Sequence, residues 1–156
     1  MKKLLEYAWG EMIKMLAVIR LRGTVKARDK EEDTLKLLRL HHRMHCVLLP
    51  ETKDLLGMIQ KAKDYITWGK ISDEILEKLI GKRGRKPGDV RLNADEAKKI
   101  FSELKSNRKI SELGVKPVFR LSPPSKGFKF SIKHPFPRGE LGNRREKINE
   151  LLERMI

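Results

Sequence analysis

The sequence predicts a small mixed fold of strands and helices, in which the order β-α-β-α-β occupies about residues 15–71. Three observations support this. Segments 16–22 and 45–49 have the alternation or β-branched content of strands. The stretches between the predicted strands place apolar residues at helical spacing. The remainder, residues 72–156, combines amphipathic helices with loops rich in glycine, proline and basic residues, so we expect it to form an extension.

The first strand and first helix follow from two periodicities. Residues 16–22 alternate, so Arg20 and Arg22 should lie on the strand face opposite the apolar side chains. A polar connection then leads to a helix over about 31–42. The first turn of that helix is acidic, which suits the positive end of the helix dipole.

The next elements are marked by their boundaries. Pro50 ends a second strand over 45–49, and Thr52 is a suitable N-cap for the helix that follows. Gly57 lies inside that helix, at a cost of about 1 kcal/mol relative to alanine. That cost indicates either close approach of a binding partner or another backbone, or a tight contact between helix and sheet. A third strand is predicted over about 65–71.

The extension contains three predicted helices and two predicted strands. The strands are 118–121 and 128–133, the second with a half-buried face that includes Phe130. The first helix should close at Gly81, and the last carries an apolar stripe. The expected helix starts are at Ser72, at Asn93 with the capping-box partner Glu96, and at Asn143 with Glu146.

Composition excludes several classes of protein. The chain has 156 residues, a net charge of +15 and 39% hydrophobic residues, enough for a modest core. No run of 18 apolar residues is present, so we expect no membrane span. Cys46 is the single cysteine, which excludes an internal disulfide and fits a reducing, intracellular setting. No signal peptide is indicated. We therefore expect a soluble basic protein with a polyanionic partner.

Most of the excess charge lies in two loop-rich stretches. Residues 82–91 hold five basic residues against the single acid Asp89, and residues 105–138 hold nine against Glu112. Both stretches are rich in glycine and proline, which predicts loops and extended arms. A solvated surface would also explain one such run, but the asymmetry favours binding to phosphate groups.

Other candidate sites are weaker. The segment His41–Cys46 is the only metal-like cluster, but it lacks a fourth ligand, so we expect no metal and instead a buried cysteine with imidazoles that contact RNA. No nucleotide-binding or hydrolase motif is present, and no catalytic residues are expected. Trp68 could stack on a base, although an aromatic residue in a strand more often packs in the core.

Three separated motifs resemble the archaeal and eukaryotic branch of the L-thirty family of large-subunit ribosomal proteins. The first is LKLLRLHHRMHCVLLPETKDLLGMIQKAKDYITWGKIS. The second is KPVFRLSPPSKGFK and the third is GNRREKINELLERMI. They occur in the family's order and cover about residues 15–156, which is more specific than any one of them alone.

The resemblance implies an α+β fold with a small three-stranded antiparallel sheet and two helices on one face. It further implies a cytoplasmic, non-catalytic protein of the ribosome that needs no cofactor. Its partners would be 23S ribosomal RNA, near 5S ribosomal RNA, and other large-subunit proteins, with no small-molecule substrate and no membrane. Residues 15–71 would be the core domain and residues 72–156 the branch-specific extension.

The basic loops, the strand arginines and one helix N-terminus supply the candidate RNA contacts. Charge reversal at Arg83, Arg85 and Lys86 is expected to weaken binding to ribosomal RNA and to leave folding almost unchanged. The full set is Arg20, Arg22, Lys26, Arg28, Arg39, His41, His42, Arg43, Thr52, Lys53, Lys82, Arg83, Arg85, Lys86, Arg120, Lys126, Lys129, Lys133, His134, Arg138, Arg144 and Arg145.

Residues 1–14 precede the point at which the family resemblance begins. Their apolar side chains have helical spacing, so they could form a docking helix. Alternatively, Met15 is the true initiator and the extension reflects an upstream start codon. The intact mass of the native protein would separate the two.

Two other functions fit parts of this pattern. A free-standing RNA- or DNA-binding chaperone or nucleoid-type protein could reuse the fold, and its absence from purified large subunits would distinguish a ribosomal protein from it. A nucleic-acid-processing enzyme would need a cleft of acids for magnesium, and the basic stretches supply only Asp89 and Glu112.

Overall fold

The computed structural model describes residues 15–106 and 108–156, so the proposed helix in residues 1–14 lies outside the described residues. The elements within that part of the chain alternate strands and helices in its first half, as the sequence predicts. They are β1 (Met15–Arg20), α1 (Asp29–Leu37), β2 (His45–Pro50), α2 (Lys53–Lys61), β3 (Ile66–Lys70), α3 (Asp73–Arg83), α4 (Ala94–Lys105), β4 (Val118–Arg120), β5 (Ser131–Pro135), β6 (Gly139–Asn143) and α5 (Ile148–Met155), with 3-10 turns at Ile110–Leu113 and Arg145–Lys147.

The strands form one six-stranded sheet in the order β4-β2-β1-β3-β6-β5. Its centre, β2-β1-β3, is antiparallel as predicted, with Val18 of β1 opposite Val47 and Trp68. The prediction of three strands is wrong. β4 adds to β2 in the antiparallel sense, whereas β6 runs parallel to β3 and β5 runs parallel to β6.

Helices cover both faces of the sheet, and each face has its own apolar core. On one face α1 and α2 pack on Leu16 and Val18 of β1, which confirms the predicted pair of helices. On the other face α3, α4 and α5 pack on Ala17 and Ile19. The extension therefore completes the burial of β1, whose residues 16–20 are all buried.

Three predicted element ends need correction. The first strand ends at Arg20, and α1 ends at Leu37 because Arg39 adopts a left-handed backbone, with φ of 61°, that breaks the helix. α3 continues through Gly81 to Arg83. The helix ends at Gly84, whose backbone is extended, with φ of −63° and ψ of 135°. Glycine is needed there because a Cβ would lie 2.4 Å from the carbonyl oxygen of Ile80.

The predicted caps are mostly confirmed. Thr52 Oγ1 accepts a hydrogen bond from the Leu55 amide at 3.4 Å, and Asn93 with Glu96 forms the capping box of α4. Ser72 occupies the N-cap of α3 without a capping hydrogen bond from its side chain. The predicted helix start at Asn143 with Glu146 is wrong, because α5 begins at Ile148 after the 3-10 turn; Asn143 Oδ1 accepts a hydrogen bond from the Arg145 amide at 2.9 Å, just before that turn.

The strands in the C-terminal half of the chain were predicted poorly from the sequence. The segment predicted as 128–133 forms a strand only at Ser131–Pro135. Of its predicted half-buried face, Phe128 and Ile132 are partly buried, whereas Phe130 is 50% exposed and its predicted burial is wrong. The strand β6 was not predicted. It reaches β3 where Gly69 leaves room: a Cβ at Gly69 would lie 2.1 Å from the carbonyl oxygen of Arg145. The two motifs YITWG and GNRR therefore meet across the β3–β6 pair.

Candidate nucleic-acid interface

Basic side chains collect at the end of the sheet where β1 and β4 finish and β2 begins. The Met44 amide donates to the Arg20 carbonyl at 2.7 Å, and the Leu121 amide donates to the Met44 carbonyl at 3.0 Å, so the chain segments here lie side by side. We call this surface the basic sheet end. It is defined by the exposed or half-exposed residues Arg22, Lys26, Arg28, Arg39, His41, His42, Arg43 and Arg120.

Several of these cations have no acidic partner. Among the residues that the structure describes, Lys26, Arg28, Arg39 and Arg43 form no ion pair. Lys26 and Arg39 also hold left-handed backbone conformations, with φ of 64° and 61°. Such conformations are unfavourable for residues with a Cβ and are often kept at functional loops. The basic sheet end thus presents charge that the fold itself does not neutralise.

Arg20 does not belong to this exposed set, and its predicted orientation is wrong. It lies on the α1/α2 face and is 5% exposed. Its guanidinium donates to the carbonyl oxygens of Leu40 and His41, both at 2.8 Å, and to that of Arg22 at 2.9 Å. Burial lowers the pKa of Arg20. Arg20 therefore acts as a structural tie for the loop that carries Arg39 and the histidines.

The histidine–cysteine segment separates into exposed and buried members. His41 and His42 are exposed, while Cys46 is fully buried and burial raises its thiol pKa to about 12, so it is unsuited to bind metal or act as a nucleophile. Burial and the nearby His42 lower the pKa of His45. No group of three metal-ligating side chains exists within the two described ranges.

Arg22 is partly committed to the fold. Its guanidinium donates to the Asp64 carbonyl at 3.2 Å and lies 5.7 Å from the centre of the Tyr65 ring. The Tyr65 hydroxyl donates to Glu31 of α1 at 3.0 Å, and burial raises the pKa of this tyrosine. These contacts join the start of α1 to the start of β3.

Thr52 and Lys53 lie at the opposite end of the sheet, where β2 finishes. Both are exposed, and Thr52 Oγ1 already accepts the Leu55 amide. Lys70 from β3 lies nearby, 3.9 Å from Glu51. The N-terminus of α2 is thus separate from the basic sheet end.

The stretch 82–91 is a structured turn and not a free arm. The Lys86 amide donates to the Val90 carbonyl at 2.8 Å, and Lys86 Nζ pairs with Glu96 at 2.5 Å. Arg83 donates to the Ile156 carbonyl at 2.9 Å and to Ser122 Oγ at 2.6 Å. These hydrogen bonds of Arg83 argue against the expectation that reversing its charge would leave folding almost unchanged, and for Arg85 and Lys86 that expectation stays a prediction.

Asp89 links this turn to the basic sheet end. Its carboxylate pairs with Lys116 at 2.5 Å and with Arg120 at 3.6 Å, and the hydrogen bond from Lys116, with the nearby arginines, lowers its pKa. Arg85 donates to the Asp89 carbonyl at 3.1 Å, while Lys82 is exposed at the end of α3. The turn therefore extends the basic surface beside β4.

Arg144 and Arg145 have opposite environments. Arg144 is 8% exposed, forms an ion pair with the buried Glu140 and donates to Thr67 Oγ1 at 3.0 Å. Burial lowers its pKa to about 10. Arg145 is exposed. A contact between Arg144 and RNA is thus not supported by its position, whereas Arg145 is free to reach a phosphate.

The remaining predicted residues lie along the β5 edge of the sheet. They are exposed and belong to the segment between β4 and β6: Lys126, Lys129, Lys133, His134 and Arg138. Arg154 of α5 holds the base of this segment, because its guanidinium donates to the carbonyl oxygens of Ser125, at 2.8 Å, and Gly127. We call this set the basic edge.

Sequence reasoning missed four side chains near these surfaces. Lys70, Lys147 and Phe136 line one recess beside β3 and β6, and Lys116 fixes the turn at Asp89. Phe136 lies 5.5 Å from both Arg144 and Lys147, measured from the ring centre. Its place between Lys133, His134 and Arg138 in the segment KHPFPR was the available signal. No helix within the described residues is long and apolar enough to span a membrane.

A basic α+β protein with unpaired cations on ordered loops is the class that the fold and surface define. The sequence profile of the family described as "Ribosomal protein L30p/L7e" matches residues 16–66. "Large ribosomal subunit protein uL30" of Desulfurococcus amylolyticus is 44% identical to this chain. The alignment covers 93% of this chain and the full length of that protein. The proteins of the same name from Nanoarchaeum equitans and Methanosphaera stadtmanae are 46% and 41% identical, each over 91% of this chain. The chain belongs to the L30p/L7e family of ribosomal proteins.

Proposed function

We propose that this protein is a structural, non-catalytic constituent of the large ribosomal subunit that binds 23S ribosomal RNA, near 5S ribosomal RNA. The observation that carries the proposal is the basic sheet end, where Lys26, Arg28, Arg39 and Arg43 lack acidic partners among the described residues. The family relationship supports it. The protein would act in the cytoplasm, beside other large-subunit proteins, without a cofactor.

Phosphate binding explains the distribution of charge. A cation that forms no ion pair within the protein has none to break when it binds a phosphate. Each such contact also releases counterions from the RNA. Folded RNA is recognised largely through its shape and backbone, so scattered arginines on several loops suit it better than one reading helix. The basic sheet end and the basic edge would each contact phosphates in this way.

We divide the predicted contact residues by the contacts that they make within the protein. Arg20, Arg83, Lys86 and Arg144 hold the fold, and we assign them no primary contact with RNA. The proposal retains the exposed or half-exposed members: the basic sheet end, the basic edge, Thr52, Lys53, Lys82, Arg85 and Arg145.

The proposal is tested by reversing two charges of the basic sheet end. Arg39→Glu with Arg43→Glu should weaken binding to protein-free large-subunit ribosomal RNA and lower the slope of log affinity against log salt by about one per lost contact. Lys98→Glu with Lys99→Glu on exposed α4 is the matched control, because it changes net charge equally. Equal weakening by both pairs would refute a role for the basic sheet end.

A second experiment separates a ribosomal protein from a free-standing chaperone or nucleoid-type protein. We expect the native protein to sediment with large subunits after washing at moderate salt. Its absence from washed subunits, with retained affinity for RNA in general, would favour the free-standing function.

A further inference from the structure

We infer that the recess beside β3 and β6 binds one unstacked base of the RNA partner, with the base stacked on Phe136. The recess has a volume of about 790 Å³ and is lined by Trp68, Phe136, Asn143, Arg145 and Lys147, among others. It lies at the opposite end of β3 from the basic sheet end. This inference rests on the proposed function, because it needs an RNA partner.

The ring of Phe136 is held as a rigid platform. The Phe136 amide donates to the Leu141 carbonyl at 2.7 Å, which fixes its backbone. The Arg144 guanidinium lies 5.5 Å from the ring centre. That guanidinium is in turn fixed by Thr67, by the Glu140 carbonyl at 3.0 Å and by the Glu140 carboxylate. A ring that is ordered before binding loses little entropy when a base stacks on it.

The charge around the recess suits a nucleotide. Lys70, Arg145 and Lys147 contribute cations, and Glu51 and Glu146 also line the recess. Glu51 is engaged by Lys70 at 3.9 Å. Lys147 is exposed, with its Nζ 5.5 Å from the Phe136 ring centre, so it can leave the ring for a phosphate when a base arrives. Aromatic stacking combined with backbone cations is typical of single-stranded RNA sites.

The shape favours a base within a chain over a free nucleotide. Trp68 and Asn143 also line a second recess of about 300 Å³, which continues towards Lys63 and Lys133. The two recesses therefore lie side by side, and cationic side chains line both of them. A free nucleotide would use only one of them, whereas an RNA strand could place its base on Phe136 and its backbone along the lysines.

Fluorescence of Trp68 provides a direct readout. Trp9→Phe leaves Trp68 as the single tryptophan, and this full-length background is titrated with a short oligoadenylate RNA and with an abasic RNA of equal length. We expect the abasic RNA to bind about tenfold more weakly, since stacking on an aromatic side chain contributes on that scale. Adenosine monophosphate at millimolar concentration should fail to displace the oligomer.

Three variants locate the effect. Phe136→Leu should abolish the preference for the base-containing RNA and leave affinity for the abasic RNA unchanged, which also shows that the variant is folded. Phe136→Tyr keeps the ring and should keep the preference. Phe130→Leu is the control, because Phe130 is 50% exposed but does not line this recess.

The outcomes distinguish this site from the proposed function. A base preference that survives Phe136→Leu, or its absence in the parent protein, would overturn the stacking site. If reversal at Arg39 and Arg43 still weakens binding to ribosomal RNA, the proposed function stands without it. Displacement of the oligomer by adenosine monophosphate would also overturn an RNA-specific site.

Discussion

Arg144 and Arg145 are neighbours in the sequence, yet they should differ sharply in their effect on stability. Arg144→Leu leaves the carboxylate of Glu140 buried without its partner, so we expect it to lower the free energy of unfolding by about 3–5 kcal/mol. Arg145→Leu changes an exposed side chain and should cost about 0.5 kcal/mol or less. Urea unfolding of both variants measures this, and similar losses would contradict the assignment of Arg144 to the fold.

The same contrast explains why the contact residues could be predicted only in part. Composition and periodicity marked Arg39 and Arg43 as candidates, but they placed Arg39 inside the helix predicted over about 31–42, whereas α1 ends at Leu37 and leaves Arg39 in a loop. They could not reveal that Arg20 and Arg144 are buried. That burial depends on carbonyl groups of Leu40 and Glu140, which approach only in the folded chain.

His45 should make stability depend on pH. Burial, His42 at a ring-centre distance of 5.2 Å and Arg120 lower its pKa in the folded state below the usual 6.5. The unfolded chain therefore takes up the proton first as pH falls, and stability present near pH 7 is lost below about pH 6.5. His45→Gln should reduce this loss in unfolding experiments between pH 7 and 5, whereas His134→Gln at an exposed position should not. An unchanged pH profile in His45→Gln would contradict this.

At the scale of elements, two glycines should respond oppositely to alanine. A Cβ at Gly69 would collide with the Arg145 carbonyl at 2.1 Å, so Gly69→Ala should destabilise the protein by about 2 kcal/mol or more. At Gly57 a Cβ would meet nothing within 4 Å, so Gly57→Ala should stabilise it by about 1 kcal/mol. Thermal unfolding of the two variants measures the difference. A stability loss in Gly57→Ala would contradict the open surface on α2.

The open surface at Gly57 also decides between the sequence-based interpretations of that residue. The interpretation of Gly57 as the site of a tight contact between α2 and the sheet is wrong, because Gly57 is exposed. Close approach of RNA stays a prediction, and it requires Gly57→Ala to lower affinity for ribosomal RNA while it raises stability.

The elements with strong apolar periodicity were predictable, and those without it were not. The central strands and the stripe of α5 carry their own pattern of buried residues. β6, with the sequence GELGN, has one buried apolar side chain, Leu141, and its pairing with β3 is accompanied by close approach of the following 3-10 turn to Gly69. A strand with one buried apolar side chain leaves little local signal.

At the scale of the molecule, the net charge of +15 has two functions. Part of it stabilises the fold through Arg20, Arg83, Lys86 and Arg144. Another part lies on the basic sheet end and the basic edge, to which both the first section and the extension contribute residues. The two parts of the chain thus share one sheet, and both contribute to the surfaces that we propose to bind RNA.

Because they share the sheet, residues 15–71 should not fold without residues 72–156. In that fragment Ala17, Ile19 and Cys46 would lose the cover that α3 and α5 provide. The tie between Arg20 and Leu40 lies within the fragment and would be retained, so any failure to fold reflects the lost apolar face. We expect one cooperative unfolding transition for the full chain and none for the fragment, measured by circular dichroism. A cooperative transition in the fragment would instead establish residues 15–71 as an independent domain and the extension as an addition to it.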